Sequence, residues 1–187
     1  MNPDFSISNI YKPVIIPKEL YDDEYKFDSL ISSYNDKTIL DLFAGQKKEL
    51  FKIRQPKKRL TETEINLLYE QWIEEKNPDT EGCWILYPWS NRLIHTLDQA
   101  EFIELRTSRN HYKITPDEQT FLEKRTIGII GLSVGHAVAV SIATERICGK
   151  LKLADFDTIE LSNLNRIKTG IHNIGVNKCI VTAREIA

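Results

Sequence analysis

The sequence predicts an α/β protein in which a mostly helical N-terminal domain precedes the start of a Rossmann-like, doubly wound parallel sheet. Helical periodicity, with its own start signals, dominates the chain before Arg125. A short apolar run, Thr126-Ile127-Gly128-Ile129-Ile130, then meets a glycine turn and a helix-like stretch, and a second run, Leu151-Lys152-Leu153-Ala154-Asp155, comes after Gly149. Strand, glycine turn, helix and strand in that order open an α/β unit.

Taken in chain order, Thr38 is expected to cap a helix that carries Ile39, Leu42, Phe43, Leu50 and Ile53 and ends before Pro56. Gln55 to Arg59 reads as a basic, solvated connector. Thr61 and Glu64 form a capping box, after which Ile65, Leu68, Tyr69, Trp72 and Ile73 recur on one helix face. Cys83-Trp84-Ile85-Leu86-Tyr87 is β-branched and aromatic enough for a strand, which Pro88 ends. A helix is expected over residues 90–97. Asp98 and Glu101 are expected to form a second capping box, opening a helix that bears Phe102, Ile103 and Leu105. Thr115, Pro116 and Glu118 start another, with proline at the first helical position, where its missing N–H goes unused. Beyond the glycine turn a helix is expected over 137–147, and a last one begins near Lys178. The change of texture places a boundary near residue 120. It separates an N-terminal extension, residues 1–120, from the first part of a nucleotide-binding domain, residues 121–187.

Lys and Arg number 25 against 27 Asp and Glu, a formal charge of -2. That balance argues against a nucleic-acid binder, which usually carries a strongly basic face to displace counterions. The least polar run, Ile129 to Ala143, is broken by Ser133 and His136 and is shorter than the ~20 apolar residues of a membrane span. The opening residues have neither the basic start nor the apolar stretch of a secretory signal. The expected compartment is therefore the cytoplasm, with neither nucleic acid nor membrane among the partners. Cys83, Cys148 and Cys179 are odd in number and have no CxxC spacing, so they are expected to be reduced and to form no metal site.

A tight turn that opens a helix lets backbone N–H groups approach a phosphate, whose charge the positive end of the helix favours. An acidic residue at the end of the second strand can then hold ribose hydroxyls. Gly131, Ser133 and Gly135 form such a turn, and Asp155 lies 24 positions after Gly131, near the spacing of about 20 in dinucleotide-binding units. The turn departs from GxGxxG, because Ser133 stands in the second glycine's place and His136 in the third's. Both are expected to hinder close approach.

The segment from Asp155 onward carries a more specific signal. Asp155-Phe156-Asp157-Thr158-Ile159-Glu160-Leu161-Ser162-Asn163-Leu164-Asn165-Arg166, and then Gly175-Val176-Asn177-Lys178, resembles the signature of the ubiquitin-activating superfamily of adenylating enzymes. Its bacterial members are the ThiF-like adenylyltransferases of thiamine and molybdopterin biosynthesis, in which the motif reads DxDxVxxSNLxRQ with a downstream GxxK. The resemblance covers the last third of the chain. It implies binding of ATP and Mg²⁺ and activation of a carboxylate as an acyl-adenylate, for example the C-terminus of a ubiquitin-like carrier protein, by a homodimer. Carried over residue by residue, it assigns Asp155 to the ATP ribose and Asn163, Arg166 and Lys178 to the phosphates. Asp157 either joins them or caps the turn after it.

The chemistry of these side chains suits such roles. Adenylation accumulates negative charge at phosphorus oxygens, which fixed donors must meet. Arg166 offers a planar fork, Lys178 a mobile point charge and Asn163 a neutral amide. In the family an arginine ahead of the first strand reaches into the site, commonly that of the dimer partner. The stretch Arg106 to Lys113 departs from the usual RYxRQ, and Arg109 is the candidate there. The family's Mg²⁺-binding aspartate comes after a later strand, so this chain, ending at Ala187, is expected to be an N-terminal fragment that cannot complete the reaction. The extension also resembles that of a subset of bacterial members, some of which carry a nitroreductase-like domain further along.

Three other readings stay open. Gly131-Leu132-Ser133-Val134-Gly135 satisfies GxSxG, the nucleophile elbow of α/β-hydrolases. The strand, turn and Asp155 also suit a nicotinamide-binding oxidoreductase. Finally, the altered turn is compatible with a non-catalytic interaction module that has lost ATP.

Overall fold

A computed structural model describes residues 9–21, 24–110 and 112–187. Residues 1–8, which bear on the absence of a signal segment, and His111 of the arginine-bearing stretch lie outside the described residues. The chain divides into two compact units, residues 13–108 and residues 109–187 together with the residues up to Lys12.

The first unit contains β1 (Val14–Ile16), α1 (Glu24–Ser33), β2 (Thr38–Asp41), α2 (Phe43–Arg54), α3 (Glu62–Glu75), β3 (Cys83–Tyr87), β4 (Arg92–Thr96) and α4 (Gln99–Thr107). Its four strands form one mixed sheet in the order β1-β3-β4-β2, antiparallel except for β2, which runs parallel to β4 from Thr38↔Arg92 to Asp41↔His95. Two expectations are corrected here. Thr38 does not cap a helix but opens β2, and Asp41 takes over the head of α2 by accepting the Phe43 N–H at 3.0 Å. The helix expected over 90–97 is the strand β4, joined to β3 through Asn91 in the left-handed region at φ 54. Both segments are only four or five residues long, too short for periodicity to separate strand from helix.

Start signals fare better. Thr61 accepts the Glu64 N–H while the Glu64 carboxylate accepts from the Thr61 N–H at 2.8 Å, and Thr115 with Glu118 repeats this at the next capping box. Asp98 accepts the Glu101 N–H at 2.9 Å, but the Glu101 carboxylate turns away to the ammonium of buried Lys47 at 2.6 Å. The core gathers Ile16, Tyr21, Trp84 and Leu93 under α1. Beside it the His95 ring, 1% exposed, is stacked between Phe43 and Trp84 at centroid distances of 4.8 and 4.5 Å. Its nitrogens meet Asp41 Oδ1 at 3.0 Å and the Glu81 carbonyl at 2.8 Å.

The second unit contains α5 (Pro116–Leu122), β5 (Thr126–Ile130), α6 (Leu132–Thr144), β6 (Lys150–Ala154) and α7 (Lys178–Ile186). β5 and β6 are adjacent and parallel, in register from Thr126↔Lys150 to Ile130↔Ala154, with α6 as their crossover. This is an α/β arrangement of the incomplete Rossmann-like kind the sequence predicts. α6 begins at Leu132, directly after Gly131, rather than at 137. Between β6 and α7 the chain has no long element, yet Ile159 and Ile167 are 1% exposed and pack with Val181 of α7, backed by Leu164 and Val176. This cluster fixes the loop that bears the motif residues. Among the described residues no helix is long and apolar enough to cross a membrane.

Candidate functional site

Gly131 ends β5 and caps α6 at φ +84, a conformation that L side chains resist, and it has no side chain with which to cap the helix. Asp155, at the end of the neighbouring strand, supplies the cap: its Oδ2 accepts the Leu132 N–H at 2.6 Å, and its Oδ1 accepts the Asp157 N–H at 2.9 Å. Burial by itself raises the Asp155 pKa. The two N–H donors and the nearby Lys178 ammonium outweigh burial and hold the carboxyl below its ordinary value. Because Leu132 is thus satisfied, Ser133 and Val134 contribute the first-turn N–H groups that intrahelical pairing leaves over.

The motif loop folds over this turn. Asn163, 5% exposed, accepts the Glu160 N–H through Oδ1 at 3.2 Å, and its carbonyl accepts the N–H groups of Arg166 and Ile167. These bonds make a compact turn that projects Arg166. The Arg166 guanidinium donates from Nε to the Ser133 hydroxyl at 2.7 Å, and from one terminal nitrogen to Asn165 Oδ1 at 2.9 Å and the Ser162 carbonyl at 3.3 Å. Asn177 caps α7 by accepting the Cys179 N–H at 2.9 Å, while its amide donates to the carbonyls of Asp155 and Asp157, each at 3.2 Å. That clasp sets Lys178, whose side chain is 6% exposed, with its ammonium 2.8 Å from Asp157 Oδ2.

Two clefts at the carboxyl ends of β5 and β6 result. One, of about 510 Å³, is lined by Ser133, Asp157, Asn163, Arg166 and Lys178, with Phe156 and Glu160 among its other walls. The second, of about 670 Å³, is lined by Gly131, Ser133, Asp155, Asp157 and Cys179, with the apolar Ile130, Leu153 and Phe156. The structure therefore brings Gly131, Ser133, Asp155, Asp157, Asn163, Arg166 and Lys178 to one end of the sheet, the end at which open α/β sheets bind ligands. Arg109 lies apart from them: it is exposed in the short turn Ser108–Asn110, and among the described residues no hydrogen bond or ion pair joins it to the others.

The altered glycine turn behaves differently from the expectation. A Cβ on Gly135 meets Ile129 Cγ2 at 2.7 Å, so it is Gly135, one position before His136, whose missing side chain allows a close approach of α6 to β5. His136 points away from the turn and is 3% exposed, with Nδ1 3.0 Å from the Thr182 hydroxyl. Thr182 Oγ1 also lies 2.8 Å from the Lys178 carbonyl, and the imidazole makes a further hydrogen bond to the Lys168 backbone. Burial pushes the imidazole pKa down. Ser133 does not obstruct the turn; it receives Arg166, a pairing of residues 33 positions apart that no local pattern reveals. Nor does Ser133 sit on a strained elbow, since it lies within α6 and is not among the positive-φ residues. Its hydroxyl partner is an arginine rather than a histidine.

Among the described residues, no group of three or more His, Cys, Asp or Glu side chains could hold a metal ion. The donor set in the smaller cleft, one guanidinium, one ammonium, a buried amide and helix N–H groups, suits an anionic phosphate chain. The diol of a ribose suits Asp155, each of whose oxygens retains a lone pair.

Residues 107–187 match the ThiF family. An uncharacterized protein of Mycobacterium tuberculosis (strain CDC 1551 / Oshkosh) is 47% identical over 104 residues, which cover 56% of this chain and 14% of that protein. The chain thus aligns with only a small part of the length of this relative. No solved structure matches the chain significantly. The glycine turn, Asp155 and the Asn163–Arg166 loop all fall inside the matched segment, and residues 107–187 are a ThiF-like segment.

Proposed function

We propose that the ThiF-like segment binds ATP across the two clefts and serves an adenylyltransferase that activates a carboxylate. The observation that carries this reading is the convergence of Asn163, Arg166 and Lys178 on one cleft of about 510 Å³ beside the first turn of α6. In the proposed reaction a carboxylate oxygen bonds to the α-phosphorus, the bond from that phosphorus to the bridging oxygen breaks, and pyrophosphate leaves with the electron pair. Arg166 and Lys178 meet the charge on the phosphates, Asn163 supports the loop that aims Arg166, and Asp155 accepts from the ribose hydroxyls.

Mg²⁺ belongs to this reading as the partner of ATP. The further proposals are a homodimer to which Arg109 contributes, a carrier-protein C-terminus as the carboxylate and a cytoplasmic setting. The test is ATP–pyrophosphate exchange by the full-length protein with candidate carboxylates. Exchange that requires Arg166 and Lys178 supports the assignment. ATP binding without exchange for any carboxylate favours an interaction module, and exchange indifferent to both residues overturns the site.

A further inference from the structure

The α2–α3 hairpin of the first unit borders an open cleft of about 660 Å³ that the adenylation reading does not use. Lys48 and Lys52, one turn apart on α2, share a helix face toward it, and the connector adds Lys58 and Arg59. Its floor is apolar: Ile65 is buried and Leu60 half-buried. Solvated surface charge is the bland account of these cations, and for Lys52 the C-terminal dipole of α2 adds a reason to be there.

Three features go beyond that account. Lys52 and Arg59 have no acidic partner among the described residues, and Glu62 is the single carboxylate in the lining against four cations. Lys58 is paired with Glu64 at 2.7 Å, and Lys48 lies over the Tyr69 ring at 5.1 Å, so each of these two ammonium groups has a partner beside the cleft. The first turn of α3, a helix of 14 residues, opens on the same space and adds the positive end of its dipole.

We propose that this cleft binds a phosphate-bearing small molecule, with the phosphate among Lys48, Lys52 and Arg59 and an apolar part of the ligand against Leu60 and Ile65. The volume lies in the range of about 300–1,000 Å³ usual for small-ligand sites. The formal charge of -2 on the whole chain argues against a polyanion as occupant.

The test titrates the ¹⁵N-labelled chain with phenyl phosphate and, separately, with inorganic phosphate, following the Leu60 and Asn66 amides. These reporters are local, so the result is independent of exchange activity in the other unit. Saturable shifts are expected with both probes, phenyl phosphate binding about fivefold tighter because its ring covers apolar floor. The double variant K52Q/R59Q should weaken both about tenfold with an unchanged melting temperature, and Arg59→Lys should recover part of the arginine's share. Should the double variant fold poorly, Lys52→Gln alone carries the comparison. Lys124→Gln, an exposed cation of the other unit, should change nothing. Absent or non-saturable shifts overturn the proposal, as do shifts that survive loss of Lys52 and Arg59. Equal affinity for the two probes reassigns the cleft to free phosphate. Tighter, steeply salt-dependent binding of a single-stranded oligonucleotide reassigns it to nucleic acid.

Discussion

Replacing Gly135 by alanine tests whether the closeness of α6 to β5 sets the geometry of the turn. The added Cβ meets Ile129 Cγ2 at 2.7 Å and Leu132 Cδ2 at 3.6 Å. Only the first is a clash. Ile129 Cγ2 branches directly from Cβ on a strand, so it cannot yield without turning a stiff χ1 or moving the backbone. Overpacking of this kind costs about 1–3 kcal/mol, while glycine to alanine inside a helix returns ~1 kcal/mol. The net expectation is a loss of about 0–2 kcal/mol, read as a lower urea midpoint at unchanged slope. A double-mutant cycle isolates the contact. Ile129→Ala removes the offending methyl, so Gly135→Ala should be neutral or stabilising in that background, with a coupling of about 1–2 kcal/mol. Additivity within about 0.5 kcal/mol would refute the reasoning, as would a Gly135→Ala protein more stable than the parent.

Three further outcomes are expected. In the full-length protein Arg166→Ala should lower pyrophosphate exchange about 100- to 1000-fold yet barely move the melting temperature, because the side chain is exposed and among the described residues bonds Ser133, Asn165 and Ser162; an undiminished rate removes Arg166 from the site. Thr182→Val leaves buried His136 Nδ1 without its hydrogen-bond partner and should cost about 1–3 kcal/mol in urea denaturation; a loss within experimental error shows that the pair is dispensable. Asp155 and Asp41 both lie below their ordinary pKa, Asp41 chiefly through its hydrogen bond from His95, so the stability they confer is complete above the unfolded value of about 3.9 and is lost as pH falls through the lower folded values. His136, lowered by burial, adds a loss that begins as pH falls below about 6.5. Urea midpoints should therefore decline from pH 6.5 downward and more steeply below pH 4, and Asp41→Asn should flatten the lower part; a midpoint constant from pH 7 to 3 contradicts this.

Features written in adjacent residues were legible in the sequence, and features made by distant ones were not. The capping boxes at Thr61 and Thr115 and the strand–turn–helix at Gly131 each depend on residues within a few positions, and each is present, although the helix after the turn starts five residues earlier than the pattern puts it. β2 and β4 escaped because what makes Thr38–Asp41 a strand is its partner, 54 residues away. His95 gave no signal for the same reason, its stacking and bonding partners coming from three segments. At the site, the identities of Asp155, Asn163, Arg166 and Lys178 were readable. Three facts were not: that Asp155 caps α6, that Ser133 receives Arg166, and that the close helix–strand contact falls at Gly135. A fixed spacing rule counts residues, whereas the contact is decided by where the helix axis crosses the strand.

The pairing of Lys178 with Asp157 divides arrival from departure. At 6% exposure and with one of its three N–H donors committed to a carboxylate, the ammonium exerts little pull beyond the cleft. Arg166 is exposed and has no carboxylate partner among the described residues, so an approaching anion meets the guanidinium first. Capture rates should then track Arg166 and fall with added salt, as they do for groups that act before contact. On the proposed ATP-binding reading, residence time should track Lys178, whose two remaining donors would meet a phosphate only inside the cleft.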